Sequence, residues 1–145
     1  AWGRGVATEA LRVRLSIPNG YADATDVRVS ILAGPTTSAA GNVVWRVDFL
    51  SIDALGLMTG ALTAGTQAAA LAQSGTADQL EVFGHTSSTN ANRTDANLIV
   101  TGTSLSDGEF LNVEIVRLSA DAGDTYGADM AVYGVNLEFQ MDNSA

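Results

Sequence analysis

The stretch Leu11-Arg-Val-Arg-Leu-Ser-Ile17 decides how the rest of this chain reads. Leu11, Val13, Leu15 and Ile17 alternate with Arg12, Arg14 and Ser16. A period of two places one set on each face of a β-strand, whereas a helix repeats every 3.6 residues. Pro18-Asn19-Gly20 then ends the run with turn chemistry.

The same period recurs down the chain. Val27, Val29 and Ile31 alternate with Arg28 and Ser30 until Gly34-Pro35 stops them. Val43, Trp45, Val47 and Phe49 alternate with Val44, Arg46 and Asp48. Leu80 and Val82 mark a shorter strand, and Leu98 to Thr101 another. Leu111, Val113 and Ile115 alternate with Asn112 and Glu114, with Phe110, Val116 and Leu118 widening the run. Tyr133, Val135, Leu137, Phe139 and Met141 close the series. One-sided alternation marks strands buried on a single face, as in antiparallel sheets packed face to face. The connections are rich in Gly, Ser, Thr, Asn and Asp, which suits the same architecture.

The expected fold is therefore all-β: a two-sheet antiparallel β-sandwich over residues 11–141, preceded by an N-terminal arm, residues 1–10. No composition break marks a second domain. The Ala-rich segment Leu55 to Gln73 loses the alternation. Within it, residues 66–73 read as a short helix in preference to an extra strand, because Ala, Gln and Leu favour helix. Residues 84–96, GHTSSTNANRTDA, read as a long polar loop.

Composition narrows the chemistry. A chain of 145 residues buries about 70% of its unfolded surface and needs no cross-link to fold. It has no cysteine, which removes disulfides, thiolate metal sites and a cysteine nucleophile. The formal net charge is −9, and the basic residues are scattered arginines with no lysine. No basic stripe exists to neutralise phosphates, so neither nucleic acid nor an anionic membrane is an expected partner. No apolar run approaches the roughly 20 residues of a membrane span. Residues 1–10 lack the apolar core of a signal peptide.

Each candidate catalytic or ligand site has a plainer competitor. His85 is the sole histidine and lies beside Ser87 and Ser88 in the polar loop, where a solvated residue is the preferred reading over a catalytic base. Sixteen acidic residues guarantee carboxylate pairs by chance. The segment Asp121 to Asp129 is the densest acidic loop, but it lacks the EF-hand spacing. Its aspartates are expected to cap backbone N–H groups and to pair with Arg117. Asn92-Arg93-Thr94 matches a glycosylation sequon, which matters only in a secretory pathway. No glycine-rich phosphate loop opens a helix. The expectation is no enzyme, no cofactor and no metal. Arg12, Arg14 and Arg28 sit on the polar faces of the first two strands, either as solvated residues that discourage edge pairing or as an interface toward an acidic partner.

Several pieces taken together carry a resemblance. Ser16-Ile-Pro-Asn-Gly-Tyr21 leads into the strand Asp26 to Leu32, followed by Gly41-Asn-Val-Val-Trp-Arg-Val47. Later come Asp107-Gly-Glu-Phe-Leu-Asn-Val-Glu-Ile-Val-Arg117, Asp124-Thr-Tyr126 and the closing strand Ala131 to Phe139. This order, spread over most of residues 11–140, resembles the jelly-roll-like β-sandwich domains of tailed-phage virion proteins: head decoration, head-fibre and tail-fibre proteins. In that pattern the tryptophan strand and the Arg…Asp-Thr-Tyr corner recur, which here means Trp45, Arg117, Asp124 and Tyr126. A Gly-Asp pair precedes the penultimate strand in many relatives, where this chain has Asp107-Gly-Glu109. The resemblance implies a virion structural protein on the capsid surface, commonly a homotrimer. Its expected work is to decorate and cement a phage head by contacts with the major capsid protein or another virion protein. Trp2 and Arg4 in the arm are residue types enriched at binding hot spots and are candidate anchors. The alternative is the receptor- or carbohydrate-binding head of a fibre, for which Tyr21 and Tyr126 are the candidate loop aromatics.

Overall fold

A computed structural model of the chain describes residues 9–53, 56 and 60–142. Trp2 and Arg4 lie outside these, so the anchoring role expected of them has no geometry here. The fold is all-β, a sandwich of antiparallel sheets with one short parallel pairing. One sheet is formed by β1 (Glu9–Ser16), β9 (Phe110–Arg117) and β4 (Trp45–Ile52), in the order β1-β9-β4. The other follows the order β10-β2-β6-β7, from β10 (Met130–Glu138), β2 (Val27–Pro35), β6 (Glu81–Gly84) and β7 (Arg93–Thr94). Strand β8 (Ile99–Val100) also pairs with β2, and β3 (Asn42–Val43) pairs with β5 (Leu71–Ala72). Successive long strands alternate between the two sheets. The first strand begins at Glu9, two residues inside the expected arm.

The alternation seen in sequence sets the core. Val27, Val29, Ile31 and Ala33 of β2 face Trp45, Val47 and Phe49 of β4 and Leu111, Val113 and Ile115 of β9 across the interior. All of these are buried, and Trp45 stacks obliquely on Phe83 with ring centroids 5.8 Å apart. Burying such side chains contributes about 1.5–3 kcal/mol each, which is what offsets the ordering of the strands.

Three expectations need correction. First, residues 66–73 form no helix. The only helical turn among the described residues is the 3-10 turn Gly102–Ser104. The Ala-rich segment instead runs extended beside β3 and β4: Thr63 bridges Phe49, Ala68 N–H donates to Trp45 O at 2.9 Å, and Leu71–Ala72 is the strand β5. It passes so close that a Cβ on Gly65 would lie 2.0 Å from Val47 O. Pairing with an otherwise open strand edge outweighs the helix propensity of alanine, worth only tenths of a kcal/mol per residue.

Second, the short strand near residue 81 is out of phase with the expected one. Leu80 is 53% exposed, while Glu81 and Phe83 face inward at 1% and 0%. A one-residue shift exchanges the two faces of a strand. The shift holds because Phe83 fills the core and Arg93, arriving on β7, pairs with Glu81 at 3.0 Å. That pairing also shows that the loop expected at residues 84–96 carries a strand of its own, parallel to β6.

Third, Tyr133 does not join the inward row of β10. The register against β2 slips between Val132 and Gly134, so Tyr133 is the extra residue of a bulge and is 57% exposed.

Candidate functional site: a sealed arginine corner, a polar cleft and open strand edges

Arg117 ends β9 on its inward face, opposite Trp45 in the register. Its side chain is fully buried. A charge there demands full hydrogen bonding, and it receives it. Nε and Nη2 donate to the two carboxylate oxygens of Asp124 at 2.9 and 2.7 Å, a two-pronged ion pair. Nη2 also donates to Tyr126 O at 2.7 Å, and Nη1 to Ala128 O at 2.8 Å. The guanidinium lies 5.6 Å from the centre of the Tyr126 ring.

The corner is tied to its surroundings by backbone. Val44 N–H donates to Asp124 Oδ2 at 3.2 Å, and Tyr126 N–H donates to Asn42 O at 2.9 Å. Thr37 N–H donates to the Tyr126 hydroxyl at 3.1 Å. Gly41 permits this approach, since a Cβ on it would stand 2.6 Å from Tyr126 Cα. Trp45, Arg117, Asp124 and Tyr126 thus form one unit. All four are buried, so the unit locks the loop after β9 and offers no surface to a ligand. Tyr126 is accordingly no exposed platform for a sugar, and Tyr21 is 3% exposed and set edge-on to Phe139.

The acidic loop behaves as its turn chemistry requires. Gly123 N–H donates to Asp121 Oδ1 at 2.7 Å, and Asp124 serves Arg117. Among the described residues no group of three or more His, Asp or Glu side chains is placed to share a metal ion.

The candidate interface arginines do not converge. Arg12 and Arg14 lie on the outer face of the three-stranded sheet, where Arg12 donates to Glu114 at 2.6 Å. Arg28 lies on the outer face of the opposite sheet, 4.0 Å from Glu138, and donates to Ser87 O at 3.5 Å. Arg46, which is not among the candidates, makes a two-bond pair with Asp48 at 2.8 Å. That hydrogen bond holds the Arg46 guanidinium above the ordinary arginine value, against a smaller opposing effect of burial.

Arg28 borders two adjoining hollows, of about 230 and 340 Å³, that share Asp26, Arg28 and Gln140. His85 lines the larger one. Its Nδ1 lies 2.9 Å from Ser87 Oγ and accepts from Ser87 N–H at 3.2 Å, so the ring closes a local turn. The walls are charged and polar, with no aromatic face beyond Phe139.

Two features were not singled out from the sequence. The Glu81–Arg93 pair carries no local sign, because its partners come together only through β6 and β7. The other is the strand order, which among the described residues puts β1 at the end of one sheet and β10 at the end of the other. Gly134, an isolated glycine within a strand pattern, was the available sign of the bulge beside one of them.

No helix among the described residues is long and apolar enough to cross a membrane. No protein family, curated protein or solved structure matches the chain.

Proposed function

We propose that the chain is a non-enzymatic viral structural protein: a capsid decoration, or cement, protein of the virion surface that stabilises a phage head through contacts with the major capsid protein, acting as a homotrimer. The observation that supports this reading is the corner itself. The residues that carry the resemblance, distant in sequence, pack as one buried unit: Trp45 faces Arg117, and Arg117 holds Asp124 and the backbone of Tyr126. A corner held this tightly fixes the geometry of a small domain under mechanical load, as a cement protein requires. Cement proteins act by buried interface area, and they need no reactive group.

The test is co-sedimentation with expanded phage heads. The full chain should bind in many copies and raise the temperature at which the heads rupture. Removing residues 1–8, which leaves β1 whole, should weaken binding while the melting of the isolated domain is unchanged. Absence of binding to any capsid preparation would remove the reading.

A second reading, the receptor- or carbohydrate-binding head of a fibre, draws on the Arg28 cleft with its Asp26, Glu138 and Gln140 walls. Binding to a glycan array that is lost in Arg28→Ala would favour it over the first.

A further inference from the structure

The outer faces of the two sheets are unlike. On the sheet β1-β9-β4 the outward positions hold Arg12 and Arg14, Glu114, and Arg46 and Asp48. Charged side chains suit a strand face that meets water. On the sheet β10-β2-β6-β7 the outward row of β2 begins in the same way, with Arg28 and Ser30, and then turns to Leu32 and Gly34. Leu32 is set between Gly134 of β10 and Val82 of β6, and Leu80 stands two residues before Val82. This part of the face is apolar or bare of side chains, where alternation calls for polar ones.

Tyr133 completes it. The bulge in β10 turns this ring away from the core. A Cβ on Gly34 would lie 3.5 Å from Tyr133 Cε2 and 2.5 Å from Gln79 O, so the ring and the chain entering Leu80 meet over Gly34. A Cβ on Gly134 would touch nothing within 4 Å beyond its chain neighbours, which leaves a shallow recess there. Tyr133 and Leu80, 57% and 53% exposed, are the two most exposed large apolar side chains among the described residues. One such residue alone is ordinary, but two that adjoin on an apolar floor mark an interaction site.

Two acids border this floor at its Pro35 end. Asp78 N–H donates to Pro35 O at 2.8 Å, and Thr36 N–H donates to Asp129 O at 3.1 Å. Neither carboxylate has an ion partner among the described residues. The face thus joins an apolar floor to an uncompensated negative border.

We propose that this face is where the chain docks on the capsid. Its occupant is a patch of the major capsid protein that is apolar at its centre and carries lysine or arginine where it meets Asp78 and Asp129. The proposal rests on the cement reading and assigns that reading a surface. Tyr133 supplies a large, rigid contact at small cost in side-chain freedom, and Leu80 adds apolar area beside it. Charge selects the occupant. A second copy of this chain brings the same net charge of −9, and an anionic lipid surface repels the acids. A protein patch with a basic border attracts them and is steered toward them.

The test is co-sedimentation with expanded phage heads at low and at high salt. Leu80→Asp and Tyr133→Asp should each weaken binding by about 10-fold to 30-fold, the loss expected of a central interface residue. Both positions are already exposed, so circular dichroism and the urea midpoint should be unchanged. Leu80→Ser and Tyr133→Ser repeat the measurement without a new charge. Asp78→Asn/Asp129→Asn should weaken binding at low salt and have less effect at high salt, where the charges are screened. A photoreactive benzoylphenylalanine at position 80 should cross-link to the major capsid protein of the same heads. The proposal is overturned if the folded Leu80 and Tyr133 variants bind as tightly as the unaltered chain, if the double asparagine variant binds more tightly, or if position 80 gives no such cross-link on heads that carry the bound chain. In those cases the unaltered chain still binds heads, and the cement reading stands without this face. An unaltered chain that binds no heads removes the cement reading and this docking face together.

Discussion

Replacing Asp124 by alanine removes the carboxylate that pairs with Arg117 in the corner. Arg117 is wholly buried, so its guanidinium charge is left in the core. Two of its bonds, at 2.9 and 2.7 Å, disappear, and the Val44 N–H loses its acceptor as well. The two carbonyl contacts, from Tyr126 and Ala128, survive but bring no negative charge. Breaking one side of a buried ion pair costs about 3–5 kcal/mol. The whole domain is worth about 5–15 kcal/mol. At about 2–4 °C per kcal/mol for a chain of this size, the melting point should fall by about 6–20 °C. Urea denaturation followed by tryptophan fluorescence measures this directly, because Trp45 lies in the same core, opposite Arg117. The midpoint should fall with the slope unchanged. The double variant Arg117→Met/Asp124→Leu removes the stranded charge and should recover part of the loss, although the Tyr126 and Ala128 carbonyls then lack donors. A loss below about 1 kcal/mol for Asp124→Ala, the value of a surface pair, would refute the reasoning. So would a double variant less stable than the single one.

Other perturbations rank in a defined order. Arg93→Ala strands Glu81, whose side chain is 1% exposed, and should cost about 3–5 kcal/mol. Arg12→Ala breaks a pair whose arginine is 57% exposed and should cost about 0–1 kcal/mol in the same urea assay. Gly41→Ala drives a methyl group to 2.6 Å from Tyr126 Cα, which only backbone movement can relieve, so a loss of about 1–3 kcal/mol should appear as a lowered melting point. His85→Ala alters a local turn alone, and should change stability by no more than about 0.5 kcal/mol and leave capsid co-sedimentation intact.

Where burial follows local alternation, the chain is legible from sequence. The row Val27, Val29, Ile31 and the row Trp45, Val47, Phe49 both lie in the core as their spacing requires. The seven-residue step from Arg117 to Asp124 was legible for the same reason: a strand end and the turn after it are neighbours in chain and in space. Legibility failed where a distant partner changed the local preference. Glu81 turns inward because Arg93 waits for it, and the alanines before Leu71 extend because β3 and β4 offer them backbone partners. Tyr133 fits the alternation by composition and leaves it by a bulge. The strand order, with β1 and β10 at the ends of their sheets among the described residues, is set by pairings between segments far apart and leaves no trace in any one of them. Trp2 and Arg4, the expected anchors, lie outside the described residues.

The pairing of β1 with β9 has a consequence in time. Arg12 and Glu114, which meet across it, are 102 positions apart in the chain. During synthesis at about 5–20 residues per second, the first strand waits on the order of 5–20 s before its partner is made. For that interval Leu11, Val13 and Leu15 have no sheet to join, and non-local β topologies close slowly even once complete, in about milliseconds to seconds. The arginines that alternate with them keep a like charge along the waiting strand, so nascent copies in one cell repel one another at the stretch most prone to premature pairing. Substituting Arg12 and Arg14 by threonine should therefore lower the soluble yield on expression at high level, with little change in the melting point of the molecules that do fold.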